Sequence, residues 1–310
     1  MSVVLSIIIP THNRTTLLLR VLESLYNQSA EIGNRLEIIV VDDGSTEAVE
    51  TGVNAFIEER KCNALIRYFH QVSSGPAAAR NLGIHEARGD VVLFLGDDII
   101  ALPGLLQKHL LGHTIEHPDP NLAILGMAEL APEFLQTPFA LWWKRWNFRY
   151  HLLLEGKRNP DFSFFYTNNL SLKRQFLLDH GVFDESFRYA AYEDGELGAR
   201  LTKCGLRIIF EPAAQAVHYH EINLYTACRR MLTRGKSYDL FVQKTGLLGL
   251  SRIWSFIGAG PWMHPVIVRP LYRLADKLQY RTNWGFLYIL VLMYCFNVGR
   301  GQKPTLPEIM

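Results

Sequence analysis

Four apolar residues running into two adjacent carboxylates, VLFLGDD at 92–98, limit the fold of this chain more than any other feature. Val92 to Leu95 read as a buried strand. Such a strand cannot carry two charges into a core unless a cation or hydrogen bonds hold them there. Asp97 and Asp98 therefore belong at the strand's carboxyl end, at the mouth of a cleft, where open α/β sheets bind ligands. A solvated turn is the plainer alternative. Three earlier segments share the strand-plus-polar-turn form: SIIIPTHNR (6–14), EIIVVDDGST (37–46) and LIRYFHQVSSG (65–75).

The spacing between these runs is helical. TTLLLRVLESLYNQ (15–28) puts Leu18, Val21, Leu22 and Leu25 on one stripe behind a cap around Asn13 to Thr15. Strand, helix and strand at this spacing predict a mostly parallel sheet with right-handed crossovers. GPAAARNLGI (75–84) reads as a glycine-led turn into a small-residue helix. Its amino end suits an anion, and its alanines equally suit tight packing on the sheet.

The chain has 310 residues, 48% hydrophobic and 20% charged, enough for one large α/β domain with extensions. Its four cysteines form no CxxC pattern, which argues against a disulfide framework or zinc knuckle and for a reducing compartment. The MSVVLSIIIP start lacks a basic region and is better used as a strand than as a signal peptide, so a cytoplasmic location is expected. Charge is uneven. Residues 222–310 hold 12 Lys and Arg against 3 Asp and Glu, which suits an anionic membrane surface at the inner face. These basic residues cluster with apolar ones rather than on a groove-reading motif, so no nucleic acid is expected.

Within that tail, Arg269, Arg273, Lys277 and Arg281 recur every four residues, the outline of a basic amphipathic helix with Pro270 near its start. WGFLYILVLMYCFNV (284–298) is apolar but shorter than the ~20 residues that span a bilayer. It reads as a docked or interfacial helix, with a core helix as the alternative. FALWWKRWNFRYH (139–151) mixes aromatic and basic residues and reads as an exposed functional helix or loop rather than core alone.

Five motifs in order, SIIIPTHNR, VVDDGST, GPAAARNLGI, VLFLGDD and YEDGELGARL, resemble those of family 2 glycosyltransferases of the GT-A fold over roughly residues 5–240. The resemblance implies a Rossmann-like α/β domain over 1–240, with a donor half over about 1–130 and an acceptor half over about 131–240. A helical extension over 241–310 completes the chain. It also implies inverting sugar transfer from a nucleoside-diphosphate donor, UDP-linked by expectation, to a saccharide or lipid-linked acceptor, with Mn or Mg bound.

By the same resemblance Pro10, Thr11, Asn13 and Arg14 line the nucleoside pocket, Asp43 accepts from the base, and Arg80 reaches the donor. Asp97 holds the ribose or a metal-bound water, Asp98 ligates the metal, and Asp194 of the Glu193–Asp194 pair is the base. Gly96 stands where many relatives carry Asp. His218 and His220, two apart on an expected strand and so on one face, are further candidate metal ligands, with surface or core roles as the alternative. Thr11 and Asn13 could instead cap a helix, and Asp42 or Asp43 close an Asx turn. Asn168 and Asn169 are candidates beside the donor sugar or acceptor, or else turn formers. Arg229, Arg230 and Arg234 suit a phosphate or a solvated face, with Gly235 ending or bending their helix.

Two other readings differ in class. A catalytically silent sugar-nucleotide-binding relative is expected to have lost Asp98 or Asp194, and both are here. A nicotinamide-dependent oxidoreductase would need GxGxxG after the first strand, and that motif is missing.

Overall fold

The computed structural model describes residues 4–62, 65–247 and 264–303. Four strands lie parallel: β1 (Leu5–Thr11), β2 (Leu36–Asp43), β3 (Ile66–Gln71) and β4 (Val91–Leu95). Helices α1 (Thr15–Ile32), α2 (Val49–Arg60) and α3 (Pro76–Glu86) connect them. The sheet continues through β5 (Ile99–Ala101), β6 (Leu122–Leu130), β7 (Asn169–Lys173) and β8 (Arg207–His218), in the spatial order β3-β2-β1-β4-β7-β6-β8-β5. Pairings β4 to β7, β6 to β7 and β5 to β8 are antiparallel. Parallel pairing thus belongs to the first four strands, and antiparallel pairing begins where β7 joins β4.

Physical causes are visible strand by strand. Every residue of β2 and β4 is buried, as expected of strands covered on both faces. Leu18, Val21, Leu22 and Leu25 of α1 are fully buried in the apolar core they share with β1, β2 and β4, so the helical stripe read from spacing is the packed face. In α3, a Cβ on Gly83 would come within 2.4 Å of Ile8 Cγ2. Small residues there let helix and sheet approach.

Two polar clusters sit inside this sheet. Near the start of β2, Glu37 accepts from Ser6 Oγ at 2.6 Å, from the Arg88 N–H at 2.6 Å and from Arg67 Nη1 at 3.1 Å. In the antiparallel half, the fully buried Asn169 accepts from His109 Nε2 through Oδ1 at 2.9 Å and donates from Nδ2 to the Ala214 carbonyl at 2.9 Å. His109 Nδ1 and His113 Nε2 both meet Ser171 Oγ. Burial pushes His109 down to about 4 and His113 down to about 3, so both are neutral imidazoles at pH 7. Asn169 is thereby a core residue.

Contacts gather the chain into two compact units. The first comprises Met1–Glu129, Leu152–Arg188 and Asp194–Tyr219; the second comprises Leu130–His151, Tyr189–Glu193 and His220–Met310. Helices α4 (Leu105–Leu111), α7 (Arg174–His180) and α8 (Glu193–Lys203) accompany the sheet, with α6 (Tyr150–Leu154) at the chain's return to it.

The second unit packs α5 (Pro138–Asn147), α9 (Leu224–Thr245), α10 (Pro265–Leu278) and α11 (Gly285–Gly299) around its own apolar core. Gly235 does not end α9, which runs past it to Thr245. A Cβ there would meet the Phe296 carbonyl at 2.1 Å, and one on Gly299 would meet the Leu232 carbonyl at 2.1 Å. Glycine is needed because α9 and α11 touch backbone to backbone. Helix α11 is a docked core helix with Tyr288, Val291, Tyr294 and Cys295 fully buried. Among the described residues no helix is long and apolar enough to cross a membrane. The 139–151 segment is partly core: α5 buries Phe139, Ala140 and Trp143 while Leu141 and Trp146 stay exposed. Pro270 lies inside α10, further from its start than the sequence suggests; Pro265 takes the first turn. Parts of the expected extension, 248–263 and 304–310, lie outside the described residues.

Candidate functional site

The carboxyl ends of β1, β2 and β4 lie side by side, since Thr11 pairs with Asp42 and Ile8 with Phe94. Beyond β4 the chain turns at Gly96 and immediately forms β5, whose Ile99 is paired with His218 at the end of β8. Tyr219 N–H donates to the Asp98 carbonyl at 2.7 Å, which closes this pairing. A three-residue strand therefore brings position 98 beside position 218, 120 residues away in sequence. Asp98 Oδ2 and His218 Nε2 are 3.3 Å apart. With His220, two residues further on, they offer ligand atoms within 4.8 Å of one another.

Charge around the pair is concentrated. Thr11 Oγ1 donates to Asp97 Oδ2 at 2.9 Å, and Arg14 Nη1 donates at 3.0 Å to both Asp97 Oδ1 and Asp98 Oδ2. Burial, and then the neighbouring Asp98 charge, push the Asp97 carboxyl well above the usual carboxylate range against the pull of Arg14. For Arg14, burial works against the charge and the two carboxylates outweigh it, so its pKa rises. A buried carboxylate held near a second carboxylate is a place where added positive charge is favoured.

One carboxylate and two imidazoles fit a divalent cation of borderline softness better than Mg, which prefers an all-oxygen shell. Gly96 belongs to this geometry. A Cβ at that position would stand 2.8 Å from Asp98 Oδ1 and 3.0 Å from Ile99 Cγ1. The Asp98 carboxylate thus occupies space that a side chain at 96 would need.

Of the expected nucleoside-pocket residues, several are engaged in building the loops. Asn13, at φ 52°, accepts from the Thr46 N–H at 2.7 Å and the Glu47 N–H at 3.2 Å, tying the β1 loop to the β2 loop. Asn tolerates this left-handed backbone better than most residues. Pro10 is half-buried within β1, paired with Val41. Asp43 accepts from Ser74 N–H, Gly75 N–H and Gln71 Nε2 at 2.7 to 2.9 Å, leaving one of its roughly four acceptor positions. The anion just ahead of α3 is thus Asp43 itself. Asp42 Oδ1 accepts from the Ser45 N–H, three residues on, at 2.9 Å, one residue further than an Asx turn reaches. Arg80 is buried on α3 with its guanidinium 5.4 Å from the Phe183 ring centre.

Asp194 lies in the first turn of α8, and its Oδ1 accepts from Gly195 N–H at 2.7 Å. The residue ahead of the acidic pair, Tyr192, has φ 71°, a strained conformation for a bulky side chain and one often found at working sites. Behind it, Glu196 and Arg200 form a two-point ion pair, and Arg200 also donates to the His180 and Val182 carbonyls. Spacing of four residues on a helix signalled that pair, and sequence reading passed over it. It also missed Glu47, which caps α1 from the neighbouring loop by accepting from Thr15 N–H and Oγ1. No local pattern marks a cap supplied 32 residues away.

Comparison with known proteins bears on the family and the fold. The family model for glycosyl transferase family 2 matches residues 6–181. An uncharacterized glycosyltransferase, YfnE of Bacillus subtilis, is 29% identical over 260 residues, covering 69% of this chain and 64% of that protein. The chain spans smaller shares, 14% and 43%, of other curated relatives. Among solved structures, the mannosyltransferase PcManGT from Pyrobaculum calidifontis, in complex with GDP-Man and Mn2+, aligns with TM-score 0.60 at 18% identity over 98% of this chain and 76% of its own. Staphylococcus aureus TarS 1-349 in complex with UDP aligns with TM-score 0.52 at 17% identity, over 96% and 91%. The architecture is that of GT-A glycosyltransferases.

Proposed function

The chain belongs to glycosyl transferase family 2, and from that premise we propose that it transfers a sugar, with inversion, from a UDP-linked donor to a saccharide or lipid-linked acceptor. The observation that carries the reading is the register of β5 on β8, which sets His218 against Asp98 beside the Asp97–Arg14 pair. Asp98, His218 and His220 would hold a divalent cation, Mn by their donor chemistry. When bound, that cation stabilises negative charge developing on a departing diphosphate. Arg14, half-exposed and already carrying two carboxylates, can release one of them to a phosphate oxygen of the same geometry.

Asp97 and the last acceptor position of Asp43 are suited to ribose hydroxyl and base N–H donors, and Thr11 fixes the Asp97 carboxylate. Asp194 takes the proton of the acceptor hydroxyl as its oxygen bonds to the anomeric carbon, while the bond from that carbon to the diphosphate oxygen breaks. A hydrolysis screen over UDP- and GDP-sugars with and without Mn, run beside Asp98→Ala and Asp194→Ala, tests the scheme. Turnover should require Mn and be lost in both variants, with nucleotide still bound by Asp194→Ala. Unchanged turnover in Asp194→Ala would remove it as the base.

The acceptor side has a membrane-facing candidate. Val266, Ile267, Leu274, Tyr280, Trp284 and Phe286 are all exposed, and Arg269, Arg273, Lys277 and Arg281 lie exposed among them. Exposed aromatics interleaved with cations match an anionic lipid interface. We propose that this face rests on the inner leaflet. Vesicles containing phosphatidylglycerol should bind the full chain several-fold more than a Trp284→Ser, Phe286→Ser variant; equal partition would remove the idea.

A further inference from the structure

The second unit holds a partly open cavity of about 160 Å³. Trp142, Trp143 and Trp146 of α5 line it with Met231 of α9 and Phe296 of α11. Its size matches the apolar cavities of about 150 Å³ that take up a benzene ring. Polar groups interrupt the wall at Tyr192, Asn147 and Arg234, the last donating from Nη2 to Asn147 Oδ1 at 2.7 Å. That bond uses one of the five donors of a guanidinium. Trp143 is 3% exposed, and its indole N–H has no acceptor among the described residues. A buried donor without an acceptor is uncommon enough to call for a missing partner.

The place of this cavity in the chain matters as much as its lining. Tyr192 is two residues ahead of Asp194, so the covalent chain keeps their Cα atoms within about 7 Å. Its strained φ of 71° fixes the backbone at the junction between cavity wall and acidic pair. We propose that the cavity is an acceptor subsite: it receives a ring-sized apolar group carried by the acceptor sugar, whose hydrogen-bond-accepting substituent meets Arg234 and the Trp143 indole. This deepens the transfer reading above and rests on it. A bare saccharide would leave both donors unmet and the tryptophans unused.

The probes are 4-nitrophenyl β-glycosides of glucose, galactose and N-acetylglucosamine against the matching methyl glycosides. Saturation-transfer NMR reads binding to the full chain, and transfer from the nucleotide sugar reads turnover. At least one nitrophenyl glycoside should bind tenfold or more tightly than its methyl counterpart and show the larger kcat/KM. Met231→Trp, which fills the space, and Arg234→Met, which removes the polar anchor at similar size, should each bring that ratio close to one. Equal affinity for the two series, no binding of either, or a preference that survives both substitutions would overturn the subsite. Nitrophenyl binding without transfer to any probe would leave the subsite standing and count against the transferase scheme. Equal transfer to both series would do the reverse.

Discussion

Two buried carboxylate clusters lie at opposite ends of the parallel strands, and they are built differently. Glu37, near the start of β2, is enclosed by a hydroxyl, a backbone N–H and Arg67, whose side chain is 21% exposed and also bonds the Glu86 carbonyl and carboxylate. Asp97 and Asp98, past the end of β4, share one Arg14 nitrogen on a side chain that is 44% exposed, and Asp98 also faces an imidazole. Burial alone therefore does not separate the two clusters. What differs is whether their partners are fixed by the sheet or able to change places with a ligand.

The largest expected effects test that contrast in both directions. Asp98→Ala should lower sugar transfer on the order of 10³-fold or more, because a group acting on transition-state charge is removed. Its unfolding free energy should change little, since Arg14 keeps Asp97. Glu37→Ala should do the opposite. Removing one partner of a buried ion pair strands the other and costs about 3 to 5 kcal/mol. Metal affinity and kcat of the folded fraction should stay close to wild type. Urea unfolding and initial-rate kinetics on both variants decide this; a Glu37→Ala protein that folds normally but loses metal would break the distinction.

Asn169→Ala follows at about 3 kcal/mol of lost stability. It leaves His109 Nε2 and the Ala214 carbonyl short of a partner in a dry region, each at about 1 to 3 kcal/mol. Sequence reading held Asn168 and Asn169 as candidates beside donor or acceptor, because amides at a strand start do suit sugar hydroxyls. What it had no access to was the antiparallel half of the sheet, where β7 runs between β4 and β6 and turns Asn169 toward α4. Chain order does not announce that arrangement. The parallel half was legible because β1, β2 and β4 carry apolar runs at Ile7–Ile9, Ile38–Val41 and Val91–Leu95, and α1 has a single apolar stripe.

The same asymmetry divides the candidate site. Asp97 and Asp98 follow from the cost of burying charge after VLFL, and His218 from its place on β8; His220 lies past the end of that strand, so its nearness to Asp98 does not come from the alternation the sequence suggests. The enclosure of Asp43 by Gln71, Ser74 and Gly75 was hidden, since it depends on how the β3–α3 turn folds back. Helix α11 read as docked or interfacial from length alone. Its burial against α9 needed the glycine contacts at Gly235 and Gly299, whose meaning appears only when both helices are in place.

A smaller effect links the site to pH. In the metal-free protein Asp97 is pushed up to about 6, burial being the main cause and the Asp98 charge the second. A carboxyl raised in the folded state holds its proton to higher pH than the unfolded chain does. Its contribution to stability is therefore lost as pH rises from about 4 to about 6. A cation at Asp98 favours ionised Asp97 and displaces that proton. Apparent Mn affinity should accordingly climb by up to about tenfold per pH unit toward pH 6 and then flatten. Calorimetric titrations between pH 5 and 7.5 would show it. In Asp97→Asn the part of the slope due to this group should vanish, and an unchanged slope would assign the proton elsewhere.

The most delicate test concerns Gly96, where the contrast between fixed and exchangeable partners comes down to a single methyl group. Gly96→Ala sets a Cβ 2.8 Å from Asp98 Oδ1, closer than real Cβ contacts come, so one of the two must move. The Ile99 side chain, at 3.0 Å, blocks a shift on its own side because β5 is pinned to β8. The carboxylate is the softer element, so it should rotate away from His218. Folding should be nearly unaffected, while Mn affinity should fall by about tenfold, the ~1.4 kcal/mol cost of holding a ligand off its preferred rotamer. Retained affinity in a folded Gly96→Ala protein would mean that Asp98 tolerates displacement and that its precise placement beside His218 is not what holds the cation.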